Sequence, residues 1–176
     1  MTNDYDSSFK ATEHLIQQGC KRIGYLVVNK NLSIGKTRMR GYQDALEKYN
    51  IPFSEKLVID CSNSYEENAT IIKAALQELK PDGLFASVER LAFATYYACF
   101  DLQLRIPEDL KVIGFSSLEI APLLNPSLTT MTQPATEIGS QAAQLLFNML
   151  EGEEAVATIQ EVVLKSKLYT RKSTEK

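Results

Sequence analysis

Several residue types are scarce in this 176-residue chain, and each scarcity removes a class of function. There is no tryptophan and only one histidine, His14. The three cysteines, Cys20, Cys61 and Cys99, lie far apart with no C-x-x-C among them. A zinc site or a disulfide framework therefore has no ligand set or pairing to draw on, and buried free thiols are expected. Only eight glycines occur, and none falls in a G-x-G-x-x-G or G-x-x-x-x-G-K arrangement. Gly35-Lys36-Thr37 looks like the end of a phosphate loop, but Lys30 stands where its first glycine belongs. No G-x-S-x-G is present, and His14 sits within an amphipathic stretch with no nucleophile and acid pattern around it. The neighbouring acids Glu66-Glu67 and Glu153-Glu154 cannot converge on one point of a helix. Catalysis, a metal and a cofactor are therefore not expected.

The charge balance is 19 Lys and Arg against 22 Asp and Glu, a formal net charge of −3. The nearest approaches to a cation cluster are Lys36 to Arg40 and the tail pair Arg171-Lys172, so no nucleic-acid surface is expected. No apolar run reaches the ~18 residues needed to cross a bilayer, and no signal-peptide pattern is seen, so the chain is expected to be cytoplasmic.

What is present is a regular alternation of helix and strand patterns. Helices are expected over 7–18, 36–49, 65–79, 91–102 and 135–150, the first capped by Asp4 or Asp6 and ended by Gly19. Short strands are expected over 22–28, 57–60, 83–86 and 111–115, apolar along their whole length as in a parallel sheet covered on both faces. A segment over 127–131 follows, with terminal strands over 159–164 and 167–170 whose polar interruptions suit a sheet edge. A turn is expected at Glu151 to Glu154. The fold class is α/β, a Rossmann-like doubly wound parallel sheet. Such sheets bind ligands beyond the carboxyl ends of their strands, which places polar groups at 29–38, 61–65, 87–90 and 116–119 along one edge.

An ordered series of motifs carries a family resemblance. It comprises Arg38-x-x-Gly41-Tyr42, Pro81-Asp82-Gly83, Ile106-Pro107-Glu108-Asp109-Leu110 and Val112-Ile113-Gly114-Phe115. Pro126-x-Leu128-Thr129-Thr130, Gln133-Pro134 and Arg171-x-Ser173-Thr174 complete it. The series resembles the lactose-repressor/galactose-repressor family of bacterial transcription regulators, across nearly the whole chain. The resemblance implies the later part of a periplasmic-binding-protein-like effector module, mostly its second lobe with part of the first. Residues 1–20 and 132–155 would belong to the first lobe and 21–131 and 156–171 to the second, with 172–176 as a tail. The helix-turn-helix DNA-binding domain would be absent. A small-molecule effector, possibly a sugar or an anionic metabolite, would bind between the lobes. The protein would be a homodimer, reaching DNA only through that missing domain. A soluble solute-binding protein is the alternative.

The resemblance also assigns effector-binding positions. Arg38 is the family arginine that reaches into the cleft. Val88-Glu89 stands where Asn-Asp is usual, with Arg90 next to it. Ser116 replaces an acid that accepts from ligand hydroxyls. Asn63 falls where a stacking aromatic is common, and Tyr65 is close enough to substitute. With three such departures, a different ligand, an anion favoured by Arg38 and Arg90, or a site given over to a protein partner all remain open.

Overall fold

The computed structural model describes residues 2–117, 119–151 and 161–175. The elements run α1 (Asp4–Gln17), β1 (Ile23–Val27), α2 (Ser33–Lys48), β2 (Val58–Asp60), α3 (Tyr65–Leu79) and β3 (Gly83–Ala86). They continue as α4 (Glu89–Leu102), β4 (Lys111–Phe115), β5 (Thr129–Thr132), α5 (Ala135–Glu151) and β6 (Lys167–Tyr169). The strands form one sheet in the order β2-β1-β3-β4-β5-β6, parallel except for β6, which pairs antiparallel with β5.

Alternation along the strands sends successive side chains to opposite faces. Ile23, Tyr25, Val27, Phe85, Ile113 and Phe115 pack with Ala11 and Leu15 of α1 and Tyr42 and Leu46 of α2. Leu26, Leu84, Ala86 and Val112 pack on the other face with Ile72 of α3 and Leu91 and Ala98 of α4. Burial on both sides explains why these strands carry almost no polar residue. Helices α1 and α2 touch closely because position 41 is glycine. A Cβ there would collide with the Tyr5 carbonyl and the Phe9 amide nitrogen.

Element ends follow local chemistry. Ser64 caps α3, its Oγ accepting from the Glu67 amide, and Lys80 closes that helix in the left-handed region at φ 45°. At α1 the expected cap is corrected: Asn3 holds the cap position, and Asp4 and Asp6 lie in the first turn, where they favour the helix dipole. The strand expected over 159–164 falls partly outside the described residues. Within its remainder Leu164 forms a bridge to Thr2. Gly152, Glu153 and Glu154 of the expected turn also lie outside them.

Two long-range features organise the molecule. The segment 171–174 is stitched into the sheet. Ser173 Oγ donates to the Val112 carbonyl at 2.6 Å and accepts from the Thr129 amide at 2.8 Å. The Val112 amide donates to the Ser173 carbonyl at 3.0 Å. Thr174 Oγ1 meets Thr129 Oγ1 at 2.7 Å and His14 Nε2 at 2.8 Å, so the lone histidine has a packing role. Arg171 Nη1 donates to the Leu128 carbonyl at 2.6 Å and to Thr130 Oγ1 at 2.8 Å.

The second feature is a waist where three stretches of chain meet. The Asn3 amide donates to the Leu164 carbonyl, the Ser166 amide to Asn3 Oδ1, and Gln133 Nε2 to Thr2 Oγ1. Beyond this waist α5 extends with Leu146, Phe147, Met149 and Leu150 all more than half exposed.

Candidate functional site: a cleft at the switch point of the sheet

From β1 the chain crosses to β2 on one side, then returns to build β3 on the other. Strand order reverses between β1 and β3, and the loops leaving them diverge, which opens a crevice at their carboxyl ends. A cavity of ≈ 310 Å³ lies there. Its floor includes Tyr25 and Val27 from β1; Leu32, Ile34 and Arg38 come from the start of α2. Asn63 enters from the loop before α3, and Ser87, Val88 and Arg90 follow β3.

Arg38 is almost fully buried. Its Nε and Nη2 each donate to Asp4 Oδ1 at 2.7 Å, and Nη1 donates to the Ser87 carbonyl at 2.6 Å. The guanidinium carbon lies 3.8 Å from the centre of the Phe115 ring, a cation–π arrangement. A guanidinium has five N–H groups. Three are committed here, which leaves one on each terminal nitrogen.

Arg90 donates from Nη2 to Asn63 Oδ1 at 2.8 Å, while its Nε is buried with no partner. The Tyr25 phenol, wholly buried and stacked on Tyr42 at 5.1 Å, is likewise unpartnered. Burial pushes its pKa up to about 12, with Arg38 and Ser87 pulling the other way, so it remains a neutral donor.

The expected site residues thus divide. Arg38, Asn63 and Arg90 share the cleft. Ser116 Oγ donates to Glu89 Oε2 at 3.1 Å, tying the ends of β3 and β4 together. Tyr65, half exposed at the start of α3, does not line the cavity. Sequence reasoning missed Tyr25, which reads as core, and Asp4, which reads only as a cap for α1.

Elsewhere the chemistry is quiet. The three thiols are buried and their pKa values pushed up to about 12, which makes them poor nucleophiles. Two larger hollows of ≈ 560 and ≈ 610 Å³ flank Phe53 near the β2 edge. The first holds the Lys30–Asp60 ion pair at 2.9 Å, and neither contains an unsatisfied buried polar atom. Among the described residues there is no cluster suited to a metal and no helix long and apolar enough to cross a membrane.

A sheet with this order, a cleft at its switch point and a crossing waist matches a known architecture. The profile of the periplasmic binding protein-like domain covers residues 12–174. The chain belongs to that family. Within it, the chain is an effector-binding domain of the lactose-repressor/galactose-repressor type. It is 29% identical to the ribose operon repressor of Haemophilus influenzae over 152 residues, covering 86% of this chain and 46% of that protein. It is 27% identical to catabolite control protein A of Priestia megaterium over 178 residues, covering 99% and 53%. The solved structure of the transcription regulator CcpA of Lactococcus lactis superposes with a TM-score of 0.90 at 28% identity, covering 99% of this chain and 63% of that one. A LacI-family regulator from Enterococcus faecium with bound ribose gives 0.89 at 27%, covering 98% and 63%. The chain spans about half the length of the curated relatives it matches.

Proposed function

We propose that the chain is the effector-sensing and dimerising part of a cytoplasmic bacterial transcription regulator, and that a repressor is its parent protein. The observation that carries this reading is the cleft itself. A family fold places Arg38, with uncommitted N–H groups, at the switch point of the sheet. A small polar molecule, a sugar or an anionic metabolite, would bind there and bring the first lobe down over it.

The burial of α1 supports counting residues 4–20 with the second lobe, together with β1 to β5 and β6. The exposed helix α5 and its flanks (132–155) would belong to the first lobe. The three-stranded waist would then be the pivot between lobes. DNA contact would fall to a helix-turn-helix region of the kind named in the HTH-type relatives. For the homodimer, the outer side of α4 offers Phe93, Tyr97 and Phe100, an i, i+4, i+7 row whose last two members are exposed.

Fluorescence anisotropy with promoter DNA of the native full-length protein tests this reading. Effector binding is expected to change operator affinity roughly 5- to 150-fold, the usual range for allosteric coupling. Arg38→Ala is expected to remove that response. Tight ligand binding with no DNA affinity would instead identify a solute-binding protein and overturn the proposal.

A further inference from the structure

The cleft lining contains two charged residues, Arg38 and Arg90, and no carboxylate. Their situations differ. Arg38 is neutralised by Asp4 at 2.7 Å. Among the described residues Arg90 has no acid within ion-pair distance. Its one bond is to a neutral amide, and its Nε–H is shut away unpaired. The neighbouring Glu89 is engaged by Ser116. A buried donor without an acceptor is unfavourable, and a planar guanidinium is suited to gripping two oxygens of one anion. The other unpartnered group on the wall, the Tyr25 phenol, is also a donor. The rest of the lining mixes the neutral polar residues Asn29, Asn63 and Ser87 with the aliphatic Val27, Val88, Leu32 and Ile34. Every charged group on this wall is a cation, which an anion answers and a neutral sugar does not.

We propose that the effector is a small organic anion, its carboxylate or phosphate group taken by Arg90 and its less polar body laid against Val27, Val88, Leu32 and Ile34. The inference rests on the effector-sensing reading above and narrows it to one ligand class. Asn63 orients the Arg90 fork on the cleft wall, and a bound anion would complete its hydrogen bonding. The uncommitted Arg38 N–H groups and the Tyr25 hydroxyl supply further donors.

The test is calorimetry and thermal shift on the native full-length protein with matched probes. Benzoate is set against benzamide, hexanoate against hexanamide, and glucose 6-phosphate against glucose, with inorganic phosphate and ribose alongside. At least one organic anion is expected to bind at least tenfold more tightly than its neutral partner, and the carboxylate and phosphate arms show which group the site takes. Arg90→Gln is expected to erase that preference. Arg90→Met, without ligand, is expected to leave Tm unchanged or raised, since it removes an unsatisfied group. Three results would each overturn the inference: no anion binding, equal binding of the neutral partner, or anion binding unaltered by Arg90→Gln. A Tm drop of several degrees in Arg90→Met would do so too, by making Arg90 a structural residue. A neutral sugar that shifts operator affinity independently of Arg90 would sink this inference alone and leave the regulator reading standing. Loss of operator binding altogether would sink the broader reading instead.

Discussion

The segment 171–174 and the cleft at the ends of β1 and β3 both bury polar side chains against the same sheet, and they treat them oppositely. In the 171–174 segment the circuit is closed: Ser173 and Thr174 are wholly buried and each finds partners. In the cleft it is half open. Arg38 and Asp4 neutralise one another, though two N–H groups of Arg38 are left over, while Tyr25 and Arg90 keep polar atoms with no partner. A closed buried network fixes a structure; an open one reserves its donors for something that arrives. The contrast separates residues that hold the fold from residues that wait for a ligand, within one cleft as well as between two regions.

The sharpest way to break it is Asp4→Ala, which strands a buried guanidinium. A loss of about 3–5 kcal/mol is expected, read from urea denaturation. Less than about 1 kcal/mol would mean the pair is not part of the closed half. Ser173→Ala leaves the Val112 carbonyl and the Thr129 amide each short of a partner, and should cost about 2–4 kcal/mol. His14 supplies a smaller, pH-dependent effect. Burial holds its pKa below the usual imidazole value, with Glu175 pulling weakly upward. The unfolded chain therefore takes up the proton first. This contribution is flat above the unfolded value of about 6.5 and turns against folding as pH falls from there towards the folded pKa. Comparing Tm between pH 7.5 and 5.5 for wild type and His14→Gln isolates it, and the variant should show the shallower decline. Tyr25→Phe lies at the bottom of the scale. It deletes a hydroxyl whose approach to Ser87 falls short of hydrogen-bond geometry, so stability should change by less than about 0.5 kcal/mol. A loss above about 1 kcal/mol would close the cleft's open half and end the contrast.

Much of the fold was legible because its punctuation is local. Helix α3 and strands β3 and β4 fall at their expected bounds. The Ser64 cap, Pro81-Asp82-Gly83 and Pro107 mark those ends within a few residues. Helix α2 begins three residues early, at Ser33, because its first turn is a cleft wall with an unremarkable pattern. Of the site, Arg38, Asn63 and Arg90 were legible as residues that follow strands or match a family position. Their energetic states were not. Arg38 and Asp4 lie 34 residues apart, and no periodicity reveals that they pair. Tyr25 belongs to an apolar strand and reads as packing, so its idle hydroxyl emerges only from three dimensions. The engagement of Glu89 by Ser116 across two strands is invisible to sequence for the same reason.

The stitching of residues 171–174 sets an order of events during synthesis. The ribosome makes these residues after every strand they bind. Until they emerge, the Thr129 amide and both backbone groups of Val112 lack the partners that Ser173 brings. The nascent sheet can collapse, but its β4–β5 seam stays unsealed. Emergence of residues 171–174 then acts as the closing step for that seam, so a product terminated before Arg171 would carry a nearly complete core with an unfinished seam and be a substrate for proteolysis.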